Sequence, residues 1–169
     1  MAVELRPLTH ADIAAHNAGE DSETIRWLTG ARGTVESTRS HFELLAANAE
    51  AGKGKRGFGV WHEGRLAGYV DFDPDVADGL EPDEVNISYA VHPWARGRGV
   101  AGDAVLAVCE VLRSEGIGRR AGIRVDPENI ASVRVAEKCG FQHRREVVSS
   151  TDTHDDGTPA RLRVYLLDL

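Results

Sequence analysis

Apolar residues recur along the chain in two rhythms, a spacing of two that marks strands and a spacing of three to four that marks helices. Val3–Arg6 reads as a short strand stopped by Pro7, and Thr9 is placed to cap a helix starting at His10. From Glu36 to Ala51 the pattern is helical, with Phe42, Leu45, Ala46 and Ala49 on one face and Gly52 as the stop. Phe58–His62 and Leu66–Phe72 are expected as a hairpin around Glu63-Gly64-Arg65. Val85–Val91 follows as a third strand, closed by Pro93.

The second half alternates. Val100–Arg113 repeats apolar residues at helical spacing (Val100, Ala104, Val108, Val111, Leu112) until Gly116 and Gly118 end it. Arg119–Val125 reads as a strand, and Asn129–Lys138 as a helix with Asn129 at its N-cap. Phe141–Val148 and Arg161–Leu167 are the last strands, separated by the polar stretch Ser149–Pro159, which like Glu20–Thr38 is expected as loop. Three strands, one βαβ crossover, then a helix and two strands define a mixed α/β (α+β) sheet within one domain spanning residues 1–169. No long linker, low-complexity tract or internal repeat interrupts it.

Composition narrows the class. With 169 residues, 41% hydrophobic and 28% charged, the chain can bury a core without metal or disulfide staples. No apolar run approaches the roughly 18 residues of a membrane span and no signal core opens the sequence, so a soluble, cytoplasmic protein is expected, without a membrane partner. Cys109 and Cys139 lack CxxC spacing and fall in apolar helical patterns, which points to buried reduced thiols. The seven histidines show no HExxH spacing, so no metal site is expected. A net charge of -7 argues against general nucleic-acid binding, which needs a basic face. That charge is localised: seven acids and no base lie between Asp71 and Glu84, and elsewhere the signs balance.

The sharpest chemical signal is Val91-His92-Pro93-Trp94-Ala95-Arg96-Gly97-Arg98-Gly99-Val100-Ala101-Gly102, a strand end followed by a Gly/Arg loop that opens a helix. Successive amides in such a loop, with the first amides of the helix, form a nest that suits a pyrophosphate. Gly97 and Gly99 permit close backbone approach, and Arg96 and Arg98 add counter-charge. Gly97-x-Gly99-x-x-Gly102 also satisfies the dinucleotide fingerprint, with Asp126 after the next strand as a ribose-binding acid. Against that reading, the five residues His92–Arg96 separate strand from first glycine, and only one crossover is present. Gly52-x-Gly54-x-x-Gly57 follows a helix and precedes a strand, so it is a basic loop only.

Arg96-Gly97-Arg98-Gly99-Val100-Ala101 resembles the acetyl-coenzyme A signature Arg/Gln-x-x-Gly-x-Gly/Ala of the GNAT superfamily of N-acetyltransferases. Downstream, Asn129-Ile130-Ala131-Ser132-Val133-Arg134-Val135-Ala136-Glu137-Lys138-Cys139-Gly140-Phe141 resembles the Asn-x-x-Ser…Ala-Glu-Lys-x-Gly-Phe segment of its RimJ/RimL branch, the ribosomal-protein N-terminal acetyltransferase-like enzymes. The resemblance covers the element order from Val3 to Leu167. It implies a GNAT-like, mostly antiparallel sheet of six to seven strands flanked by about four helices, in a monomer or homodimer. It further implies acetyl-CoA with its pyrophosphate on Arg96, Gly97, Arg98, Gly99, Val100 and Ala101, and its pantetheine in an opening between the Val85–Val91 and Arg119–Val125 strands. The Val91 amide would polarise the thioester carbonyl, and Asn129 would hydrogen-bond the cofactor arm. The implied reaction is acetyl transfer to a primary amine, a protein N-terminus or a small amine, by direct attack in a ternary complex.

Such transfer needs a base for the amine and can use an acid for the thiolate. The acids nearest the proposed acetyl group are Glu84, Asp71 and Asp73. Many relatives carry a Glu two residues before the Gly/Ser-Tyr pair of this strand, where Asn86 precedes Ser88-Tyr89 here. A helix Tyr acid common in the superfamily is replaced by Ala136, leaving Ser132 as the donor. Ser132 and Asn129 also suit plain helix capping, and Tyr89, Trp61 and Trp94 suit packing. His92 adjoins the proposed acetyl site. The absent Glu and Tyr keep a second function in view, a non-catalytic acyl-CoA-binding sensor. Asp71-x-Asp73-x-Asp75 begins like a calcium loop, but Val76 and Pro82 stand where that loop needs Gly and Glu. The acidic stretch is either a solvated loop or a lure for a cationic acceptor, opposite a base-rich Arg96–Arg145 segment that holds the anionic donor.

Overall fold

The computed structural model describes residues 3–169. Strand β1 (Glu4–Arg6) leads into a 3-10 turn, His10–Asp12, and helix α1 (Ile13–Ala18). The Asp12 carboxylate accepts from the Thr9 N–H at 2.8 Å, so the helix entry expected at Thr9 is present, with its first turn tightened. A one-turn α2 (Ser22–Thr24) continues into a π-helical turn, Ile25–Thr29, before α3 (Val35–Ala51). Then come β2 (Arg56–His62), β3 (Arg65–Asp73), β4 (Glu84–Val91), α4 (Val100–Glu115), β5 (Arg120–Val125), α5 (Ile130–Lys138), β6 (Gln142–Thr153) and β7 (Pro159–Asp168). Between β2 and β3 the chain reverses through Glu63 (φ 52°) and Gly64 (φ 76°), a two-residue turn whose twist matches the strands.

The strands form one seven-stranded sheet ordered β1-β2-β3-β4-β5-β7-β6. The pairs β1/β2, β2/β3, β5/β7 and β6/β7 are antiparallel, and β4/β5 is parallel. This is the mixed, mostly antiparallel architecture expected, with five α-helical segments where about four were anticipated. No helix among the described residues is long and apolar enough to cross a membrane.

The chain divides into two compact units. One runs through Phe72 and resumes over Ser88–Val108; its core joins Leu8, Ile13, Phe42, Leu45, Leu66 and Tyr69, with Trp61 packed against them. The other holds Asp73–Ile87 and Cys109–Leu169, where Leu80, Val164 and Leu166 cluster with Val76 and Val147. Each fully buried side chain of this size contributes roughly 1.5–3 kcal/mol.

Three expectations are corrected. On α3 the buried stripe is Thr38, Phe42 and Leu45; Ala46 and Ala49 are exposed, Ala46 at the stripe's edge and Ala49 in the last turn. Residues 20–38 are not loop throughout. Buried Glu20 accepts the Gly33 N–H at 3.0 Å and Thr38 donates to Asn17 at 2.6 Å, tying the segment down. The polar stretch Ser149–Pro159 is not loop throughout either: residues 149–153 continue β6 and only residues 154–158 turn. Its polar end is stitched by Asp78, which accepts from the Ser150 N–H at 2.8 Å and the Ser149 hydroxyl at 2.6 Å.

Candidate active site

The glycine loop is built by its flanks. At the end of β4 the His92 N–H donates to Ala67 O on β3 at 2.7 Å. Successive amides of an extended chain point to opposite sides, so the Val91 N–H is directed away from β3. A 3-10 turn, Pro93–Ala95, follows; fully buried Ala95 and buried Val100 pin the loop's ends while Arg96–Gly99 stays exposed. Gly97 (φ 74°) and Gly99 (φ 78°) hold left-handed conformations, and a Cβ at either would meet nothing within 4 Å. Their glycine requirement is therefore conformational, and the space above them is open. The Asp103 N–H makes the helical bond to Gly99 O at 3.0 Å, so the Val100 and Ala101 amides precede it at the positive end of α4. A backbone nest opening into free space fits a pyrophosphate.

The two arginines of the loop differ. Arg98 is exposed, 3.9 Å from Glu63. Arg96 is turned inward: it forks onto the Asp21 carboxylate at 2.5 and 2.8 Å and donates through Nε to Val91 O at 3.0 Å. This pair holds the Asp21 carboxyl far below the usual carboxylate range, with the Thr24 N–H and hydroxyl assisting, and raises the guanidinium. Arg96 thus braces the loop against the N-cap of α2. Sequence reading missed Asp21 and Thr24, although Asp21-Ser22-Glu23-Thr24 has a recognisable capping pattern.

The candidate acids separate by surroundings. Glu84 is 1% exposed and salt-bridged to Arg145, with Arg120 at 3.8 Å and the Glu81 N–H donating at 2.9 Å. Burial pushes its pKa up, but the Arg145 hydrogen bond, the Glu81 amide and both arginine charges outweigh that and leave it lowered. Asp71 is 3% exposed and faces different partners: the Tyr69 hydroxyl donates to it at 2.7 Å and Lys55 Nζ stands 3.8 Å away. His41 Nε2 lies 3.0 Å from the same Tyr69 oxygen. Asp73 accepts from the Asp75 N–H at 2.9 Å in its own turn.

The acidic stretch is partly engaged by arginines, while Asp75 and Glu81 stay exposed. Asp78 pairs with Arg124 at 2.6 Å, Asp83 lies 3.9 Å from Arg120, and Glu84 holds Arg145. Arginines of the base-rich segment thus pair with three of the seven acids, which reduces the separation of charge expected between the two segments.

Asn129 caps α5, accepting the Ser132 N–H at 3.3 Å, and Ser132 is half-buried in the first turn. The parallel register of β4 on β5 runs from Glu84↔Arg120 to Asn86↔Gly122, while β4 continues to Val91 and β5 to Val125. His92 is buried under the backbone of Gly19, and burial above all, then the neighbouring His16 charge, pushes its pKa down to about 4. Of the two thiols, Cys109 is fully buried with its pKa pushed up to about 11 by burial, whereas Cys139 is only half-buried at the end of α5.

Residues 2–142 match the family model of the acetyltransferase (GNAT) domain. The chain belongs to the GNAT acetyltransferase family. Among solved structures it is similar to RimL, the ribosomal L7/L12 alpha-N-protein acetyltransferase in complex with coenzyme A, at 18% identity and a TM-score of 0.83, over 100% of this chain and 95% of that one. It is also similar to Mycobacterium smegmatis RimJ in complex with CoA-disulfide (23% identity, TM-score 0.82, 98% and 81% covered). A third likeness is to the aminoglycoside acetyltransferase AAC(6')-Ib in complex with coenzyme A (21% identity, TM-score 0.76, 99% and 95% covered). At these identities the likeness is one of fold. No curated protein matches the chain in sequence.

Proposed function

We propose that this protein transfers an acetyl group from acetyl-CoA to a primary amine by direct attack in a ternary complex. The observation that carries the reading is the exposed Gly97–Gly99 loop at the start of α4, open above both glycines and backed by helix-terminal amides. Acetyl-CoA supplies the activated acyl group, and the protein binds and orients it. Gly97, Arg98, Gly99, Val100 and Ala101 hold the pyrophosphate, with Arg96 as the brace that keeps the loop in shape. The Val91 amide, directed away from β3, polarises the thioester carbonyl. Asn129 holds the cofactor arm as well as capping α5, and Ser132 donates toward the departing sulfur.

The base falls to Asp71. Glu84 is held as a carboxylate by two arginines and a backbone amide, whereas Asp71 has a hydroxyl and a more distant ammonium. No acyl-enzyme on Cys109 is involved, since a fully buried thiol with a pKa near 11 is not a nucleophile. The acceptor class follows the company the fold keeps: proteins similar to this one acetylate a ribosomal protein's N-terminus or an aminoglycoside. We place the chain with the RimJ/RimL-like branch on its Asn129–Phe141 segment.

The test is free-thiol release from acetyl-CoA across a panel of amines and N-terminal peptides, paired with calorimetry of coenzyme A binding. Turnover on at least one amine is expected. Gly99→Val is expected to weaken coenzyme A binding at least about a hundredfold, because a β-branched residue cannot hold φ near 78°. Undiminished binding refutes the loop assignment, and tight binding without turnover on any amine makes the protein a sensor.

A further inference from the structure

Beside the proposed base lies a chain of hydrogen-bonding, titratable groups. Tyr69 and Asp71 are two apart on β3 and so share a face of the sheet, and the Tyr69 hydroxyl donates to Asp71 at 2.7 Å. The same hydroxyl oxygen is 3.0 Å from His41 Nε2, which α3 supplies. Burial falls away along this line: Asp71 and Tyr69 are 3% and 7% exposed, whereas His41 is only half-buried. A titratable ring at the wet end and a carboxylate at the dry end are joined by one hydroxyl that can both donate and accept.

We propose that Asp71, Tyr69 and His41 form a proton-exit chain that carries the acceptor's proton to solvent. The inference rests on Asp71 being the base. An ammonium acceptor must lose one proton before its nitrogen can attack. That proton goes to the Asp71 carboxylate; the Tyr69 hydroxyl then turns from the neutralised Asp71 toward the His41 tautomer whose Nε2 is unprotonated, gives its proton to Nε2 as its oxygen takes the one from Asp71, and the imidazolium releases a proton from Nδ1 to water. Asp71 is again a carboxylate and Tyr69 again a phenol. The free amine then forms the N–C bond as the C–S bond breaks, and the second nitrogen proton ends on the departing sulfur. Tyr69 and His41 are positioning and relay groups, since neither touches the reacting atoms.

The surroundings suit a relay that must not keep its proton. His41 faces Lys55, His16 from α1 and Tyr69 on β3, with Asp71 one hydroxyl further on. Burial first, then the charges of Lys55 and His16, lowers its pKa, so an imidazolium formed there discharges readily.

The experiment measures kcat and KM for acetyl-CoA against pH, with whichever amine turns over, in Asp71→Asn, Tyr69→Phe and His41→Ala. Tyr69→Phe keeps the ring and removes only the hydroxyl; it is expected to lower kcat about ten- to a hundredfold with KM for acetyl-CoA unchanged. His41→Ala is expected to lose a similar factor and to regain activity with added imidazole, in proportion to its free-base form. Coenzyme A binding and thermal melts confirm that each variant is folded, and Tyr69→Phe carries the test if His41→Ala is not. Wild-type kcat in Tyr69→Phe, or a His41→Ala defect that imidazole does not restore, overturns the relay. If Asp71→Asn alone is inactive the base stands without the relay; if Asp71→Asn is fully active the base assignment itself falls.

Discussion

Asp71 and Glu84 bound the same acidic stretch and are almost equally buried, yet the protein treats them differently. Around Glu84 stand two guanidiniums and a backbone amide, a set that fixes negative charge. Around Asp71 stand a phenol, an ammonium 3.8 Å away and, one step out, an imidazole. The first arrangement holds a charge, and under the proposed reaction the second takes up and releases a proton. Sequence position and residue type cannot separate the two roles; the partners can.

The largest expected effect breaks the comparison if it fails. Asp71→Asn should lower kcat by about 10²–10⁴, the usual worth of a general base, with coenzyme A binding retained. Glu84→Gln should do the converse, because it leaves Arg145 beside an uncharged amide: about 3–5 kcal/mol of stability lost in urea unfolding, with near-normal kcat in the folded enzyme. A stable Glu84→Gln with collapsed kcat would exchange the two roles.

Acid sharpens the contrast through His92. Its folded pKa, about 4, lies below the roughly 6.5 of an unfolded histidine, so its contribution is complete above that value and is lost as pH falls toward 4. About 3 kcal/mol should disappear over this window. His16 and His41 are shifted in the same direction, chiefly by burial, and add to the loss. Urea unfolding from pH 7 to 4 measures it, and His92→Gln should flatten the profile. A flat wild-type profile would mean that these histidines are not held neutral.

The smallest effect concerns α5. Asn129→Ala removes the side-chain acceptor of the Ser132 N–H and should cost about 1 kcal/mol. A cofactor role adds a weaker coenzyme A affinity; loss of stability alone leaves Asn129 as a cap.

Local chemistry explains what could be read without coordinates. The Glu63-Gly64 reversal, the glycine loop before α4, the Asn129 cap and the Gly116 stop depend on contacts within a few residues, and each occupies its expected place. Distant partners explain the rest. Arg96 looked like a counter-charge for phosphate until Asp21, 75 positions away, took its fork. Three acids of the acidic stretch, Asp78, Asp83 and Glu84, looked open until Arg124, Arg120 and Arg145 met them. Ser149–Thr153 looked like loop because no apolar alternation marks it; its strand is pinned by Asp78, more than 70 positions upstream.

The Arg96–Asp21 fork also sets a rule for redesign. Residues 22–30 present Trp27 and Leu28, the latter exposed, on a π-helical turn that does not touch the glycine loop's own backbone bonds. Residues 25–30 can be exchanged for another sequence as a cassette, provided Asp21 and its partner Thr24 remain. Without that acid the fork that braces the glycine loop is lost, and a change made in this turn reaches the loop.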